Sequence, residues 1–114
     1  MRYAVLIYEK PGAYDRFSDD ERRAVSAEYL DLARDGRVVG GAQLQGLETA
    51  TTVRVQDGQS LITDGPFADT KEVFGGFYLL EADDLDAALG FAARIPATRL
   101  GGCVEVRPLV EPAP

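Results

Sequence analysis

The sequence predicts an α+β domain built on an antiparallel sheet. Three observations carry this. Short runs rich in aliphatic and aromatic residues surround two segments of helical periodicity. The segments run in the order strand, helix, strands, then strand, helix, strand. Asp57-Gly58 sits between two β-rich runs, and this dipeptide suits the two-residue turn of a hairpin.

The elements follow in order. Tyr3 to Glu9 reads as a strand, ended by Lys10-Pro11-Gly12. Ser18 to Glu21 has capping-box spacing, with Ser18 as the N-cap of a helix. Acidic residues in its first turn suit the helix dipole. Val25, Tyr29, Leu32 and Ala33 form one apolar stripe, and Gly36 is expected as the residue that ends the helix. Val38 to Leu47 reads as a strand whose glycines suggest a bulge or close backbone approach. Thr51 to Val55 and Ser60 to Thr63 flank the turn. A two-residue loop pairs Gln56 with Gln59, Val55 with Ser60 and Val53 with Ile62. Another strand begins at Glu72 or Val73 and ends at Leu80. Asp83 is expected to cap a second helix with a buried stripe of Leu85, Ala88, Leu89 and Ala92, stopped at Pro96. Cys103 to Leu109 gives the last strand, and residues 110–114 a flexible tail. The whole of 1–114 reads as one domain.

This order is the split βαβ, ferredoxin-like plan with an extra hairpin. Such a sheet has helices on one face, and its other face normally alternates polar with apolar. Ala4 to Tyr8 and Phe77 to Leu80 do not alternate. A second copy of the sheet is the simplest cover, which gives a homodimer of the α+β barrel kind.

Composition excludes several functions. There are 12 Lys plus Arg against 19 Asp plus Glu, a net charge of −7, and Arg22-Arg23 is the one adjacent basic pair. Nucleic acid and anionic membrane are poor partners for such a chain. No apolar run approaches the roughly 18–20 residues that span a bilayer. The short apolar stretch at the amino terminus is read as a strand rather than a signal peptide. One cysteine, Cys103, fits a reducing cytoplasm and is expected as a small core residue. The sequence contains no histidine, so Ser-His-Asp and Cys-His chemistry and the usual zinc sites are excluded. Acid–base work falls to Asp, Glu, Lys, Tyr or Arg.

The distinctive segment is Thr63 to Glu72, which joins two strands and leads into Gly75-Gly76-Phe77-Tyr78. Asp64-Gly65-Pro66-Phe67 followed by Thr70-Lys71-Glu72 is similar to the DGPF-type branch of the YCII-related family. Tyr8, the Thr51 to Val55 run, Gly75 to Tyr78 and Glu105 to Pro108 extend the resemblance over nearly the whole chain. It implies a ferredoxin-like fold and a dimeric α+β barrel. Some YCII relatives are proposed to be enzymes through a His–Asp pair. Here Asp64 is present and the histidine is not. DGPF-type members are often encoded beside extracytoplasmic-function sigma factors, which implies a regulatory setting.

Two readings of the segment stand side by side. Asp64-Gly65-Pro66 makes a turn by ordinary turn chemistry, Phe67 plugs the core, and Lys71 and Glu72 form a solvated pair worth under about 1 kcal/mol. Alternatively Asp64 accepts a proton, and Pro66, Phe67, Lys71 and Glu72, with Tyr8 and Tyr78, line a cleft for a small molecule. Asp64, Asp69 and Glu72 offer oxygens to a cation, but their spacing matches no calcium loop, and neither metal nor cofactor is expected. Three functions follow: a small-molecule-binding or regulatory domain, a cofactor-independent lyase, isomerase or oxygenase using Asp64, or a structural dimerisation module.

Overall fold

The computed structural model describes residues 1–67 and 70–111. Its strands are β1 (Arg2–Glu9), β2 (Val38–Gln43), β3 (Thr51–Gln56), β4 (Gln59–Asp64), β5 (Val73–Glu81) and β6 (Cys103–Pro108). The helices are α1 (Asp19–Ala33) and α2 (Leu85–Ala92), and 3₁₀ turns occupy Leu47–Thr49 and Pro96–Thr98. One antiparallel sheet has the order β2-β5-β1-β6, and β3 and β4 form a separate two-stranded sheet. With the hairpin set aside, this is the ferredoxin-like order. The hairpin is an insertion between the second and third strands of that plan.

The local signals at the first helix and the hairpin act as expected. The Ser18 hydroxyl accepts from the Glu21 N–H at 3.1 Å, and the Glu21 carboxylate accepts from the Ser18 N–H at 3.0 Å. The hairpin register pairs Gln56 with Gln59, Val55 with Ser60 and Val53 with Ile62. Asp57 and Gly58 both take positive φ, 51° and 77°, which the tight turn between twisted strands demands. A register shift lies between Val38 and Gly40, and a Cβ on Gly41 would strike the Phe77 carbonyl oxygen. Glycine is therefore what lets β2 approach β5.

Other expectations are corrected. Gly36 does not adopt the left-handed conformation. α1 is capped at Arg34, and Asp35 finishes the turn by accepting from the Arg37 backbone N–H at 2.9 Å and its guanidinium at 2.8 and 3.1 Å. The N-cap of α2 is Asp84, not Asp83, and its carboxylate accepts from the Ala87 N–H at 2.8 Å. The buried face of α2 is Ala88, Phe91 and Ala92, while Leu85 and Leu89 are exposed. α2 ends at Ala92, and Pro96 opens a 3₁₀ turn rather than stopping the helix. The second strand ends at Gln43. Cys103 is exposed, not a core residue. It shares its strand parity with Glu105 and Arg107, while Val104 and Val106 pack on the core. Of the expected tail, Val110 and Glu111 are exposed and residues 112–114 lie outside the described residues.

The core sits between the sheet and the two helices. Tyr3, Val5, Ile7, Tyr78 and Leu80 face Leu32, Ala88, Phe91, Ala92 and Ile95. Phe91 meets the Tyr78 ring edge-to-face at 5.5 Å, and the Arg37 guanidinium lies 5.8 Å from its centroid. The alternate residues of β1 and β5, Ala4, Leu6, Tyr8, Phe77 and Leu79, point to the other face and are only half-buried. No helix among the described residues covers them.

Candidate functional site

Between α1 and the β2–β5 side of the sheet lies a cleft of about 1080 Å³. Ile7, Gly41 and Gly76 contribute to its lining. Val25 and Tyr29 of α1 form the opposing wall, and Glu9, Tyr14 and Arg22 also border it. The segment after β1 brings Tyr14 back over the strand end. Its edge-to-face packing on Phe17 at 5.5 Å and the Arg22 guanidinium on its carbonyl at 2.9 Å hold it there.

Three phenols belong to this cleft. The Tyr14 hydroxyl donates to the Glu9 carboxylate at 3.3 Å, and the Tyr78 hydroxyl donates to the Tyr29 carbonyl at 2.9 Å. The Tyr29 hydroxyl is buried and makes no well-formed hydrogen bond, with the Tyr14 hydroxyl and the Ala97 backbone as its polar neighbours. Burial raises the pKa of all three; the Glu9 charge adds to it at Tyr14, and Tyr14 and Glu9 add to it at Tyr29. Each phenol therefore keeps its proton at neutral pH; Tyr14 and Tyr78 give theirs to Glu9 and to the Tyr29 carbonyl, which leaves their oxygens as acceptors.

The residues singled out from the sequence are not gathered into this cleft. Asp64 ends β4 opposite Thr51 and is exposed. Gly65 takes φ 104°, its N–H donates to the Ala50 carbonyl at 2.8 Å, and its carbonyl accepts from the Thr52 hydroxyl at 2.7 Å. These bonds tie Gly65 to the start of β3 and close the base of the hairpin. Pro66 and Lys71 are exposed, Glu72 is half-buried and Phe67 is 79% exposed, so Phe67 plugs nothing in its own chain. Asp64 and Lys71 form no ion pair within 4 Å. Tyr8 packs on Phe74 at 5.5 Å on the uncovered face, whereas Tyr78 is on the helix face, so the two tyrosines do not share a cleft. Tyr78 alone of the expected set lines it. Asp69, weighed as a cation ligand, lies outside the described residues, among which no acidic cluster suited to a metal ion occurs. Glu9, Tyr14, Arg22 and Tyr29 were missed. Tyr29 carried a signal, a hydroxyl inside an otherwise apolar stripe.

The model of the YCII-related domain matches residues 1–112. The chain belongs to the YCII-related family. An uncharacterised protein of Rhizobium meliloti (strain 1021) is 39% identical over 117 residues, covering 96% of this chain and 92% of the relative. Among solved structures, 5-chloro-2-hydroxyhydroquinone dehydrochlorinase (TftG) from Burkholderia phenoliruptrix AC1100, in complex with 2,5-dihydroxybenzoquinone, superposes with a TM-score of 0.55. That match has 19% identity and covers 98% of this chain and 96% of the other. At that identity the likeness shows a shared fold. No helix among the described residues is long and apolar enough to cross a membrane.

Proposed function

We infer that this YCII-related chain is a small-molecule-binding domain whose ligand occupies the cleft between α1 and the β2–β5 side of the sheet. The cleft itself carries this reading, a space of about 1080 Å³ walled by apolar side chains and bordered by tyrosine oxygens. The cleft adds apolar walls, three protonated phenols and the Arg22 cation, a combination suited to a planar ring bearing hydroxyl or carboxylate groups. That the dehydrochlorinase of the same fold holds a dihydroxylated quinone supports this class of ligand. Within the family the chain is placed in the DGPF-type branch on the strength of Asp64 to Phe67 and Thr70 to Glu72. It acts as a cytoplasmic homodimer, supported by the lone thiol and by the uncovered apolar face of β1 and β5. The catalytic reading through Asp64 has less support, because that carboxylate stands exposed outside the cleft.

The test is an amide NMR titration with a panel of phenols and hydroxybenzoic acids. Binding should shift Val25, Tyr29, Gly41 and Gly76, and Ser26→Trp, which plugs the cleft from α1, should abolish it. Shifts confined to other residues, or no binding at millimolar concentration, would overturn the assignment.

A further inference from the structure

The β3–β4 hairpin is an arm without a counterpart in its own chain. Beyond the Gly65–Ala50 and Thr52–Gly65 bonds at its base, its two strands pack on each other and hardly on the rest of the protein. Of its strand residues all but Thr52 are exposed. Alternation puts Val53, Val55 and Ile62 on one side, and they are 60%, 71% and 70% exposed. The other side carries Arg54, Gln56, Gln59 and Leu61. A two-stranded hairpin alone is at best marginally stable in water, so its apolar side calls for a partner.

The dimensions of the chain identify that partner. Its radius of gyration is 16.3 Å, against about 13 Å for a compact chain of 114 residues. It exposes 8247 Å², against roughly 6100 Å² for a folded monomer of 12.3 kDa. The excess, roughly 2100 Å² per chain, would bury roughly 4000 Å² in a pair, within the range of obligate homodimers. A chain with a net charge of −7 meets its own copy best through uncharged surface. The arm's Val53, Val55 and Ile62, and the sheet's Leu6, Phe77 and Leu79, supply that surface.

We propose that the β3–β4 arm clasps a second copy of this chain, burying Val53, Val55 and Ile62 on the partner. A two-fold axis makes the exchange reciprocal, each chain giving an arm and receiving one. The Asp64-Gly65-Pro66 turn then serves as the elbow that holds the arm away from its own sheet and towards the partner. This rests on the homodimer proposed above, and adds the arm to it.

Hydrogen exchange and sedimentation on the full chain test it together. At concentrations where the protein is dimeric, amides of β3 and β4 should exchange at least a hundredfold more slowly than an isolated hairpin, and dilution should release them. Val53→Asp with Ile62→Asp should weaken dimerisation at least a hundredfold, with the far-UV spectrum of the sheet and helices retained. Gln56→Asp, on the opposite side of the arm, should leave it within threefold. A dimer with a freely exchanging arm and unaltered affinity in the double variant would overturn the clasp and leave the sheet-face dimer standing. A protein monomeric at every concentration would overturn both.

Discussion

Replacing Tyr29 with Phe is expected to stabilise the ligand-free protein. The substitution removes one oxygen, and that oxygen is buried without a partner. Leaving a polar group unsatisfied costs about 1–3 kcal/mol, whereas the aromatic ring of Phe keeps the packing against the sheet. A gain of about 1–2 kcal/mol is expected, and at about 4 °C per kcal/mol for a chain of this length the melting temperature should rise by roughly 4–8 °C. The same variant should bind a hydroxybenzoate found by the NMR panel at least tenfold more weakly, a loss of about 1.4 kcal/mol. Calorimetry and titration on one preparation read both effects. Higher stability with lost binding is the signature of a site kept at the expense of the fold. A fall in melting temperature would show that the hydroxyl is already satisfied, and would refute the reasoning.

Further outcomes follow from individual contacts. Asp35 is held at about 2 by hydrogen bonds from the Arg37 side chain and backbone. A folded-state pKa below the ordinary carboxylate value means its contribution is fully present above pH 4 and lost as pH falls towards 2. Asp35→Asn should therefore cost stability at pH 7, by about 1 kcal/mol or less since the pair is near the surface, and progressively less as pH falls through about 2, as read by urea unfolding across that range. Asp64→Asn should change stability by less than about 0.5 kcal/mol, because the carboxylate is exposed and has no ion pair among the described residues; a larger loss by thermal melting would point to a role the exposed position does not explain. Cys103→Ser should be neutral within about 0.5 kcal/mol, and the native thiol should react readily with a thiol reagent in dilute protein; a thiol that labels only on unfolding would contradict its exposed position.

Where side chains act on their immediate neighbours, the sequence was legible. The capping box at Ser18 and Glu21 and the register around Asp57-Gly58 are fixed by atoms a few residues apart, and both are found as expected. Cys103 was legible and misread, since its parity with Glu105 and Arg107 already marks the outward side of its strand. The second helix was not legible in the same way. Leu85, Ala88, Leu89, Phe91 and Ala92 are apolar nearly all round, so helical periodicity does not select which of them faces the sheet.

What the sequence by itself determined is the list of elements, the order that makes a ferredoxin-like sheet, and the absence of histidine chemistry. Those depend on local propensity and on composition. Only the tertiary structure decided the candidate site. The cleft draws on the end of β1, the segment after it, α1, β2 and β5, and Gly76 lies 69 positions from Ile7 along the chain yet directly opposite it in the sheet. Whether a tyrosine hydroxyl finds a partner depends on which strands arrive beside it. For Tyr29 its polar neighbours are Tyr14 and Ala97, without a well-formed hydrogen bond, and nothing in the order of residues around it records that. The motif at Asp64 shows the converse: its residues were conspicuous because turns restrict residue types, but it closes the base of the hairpin and is not among the residues that line the cleft.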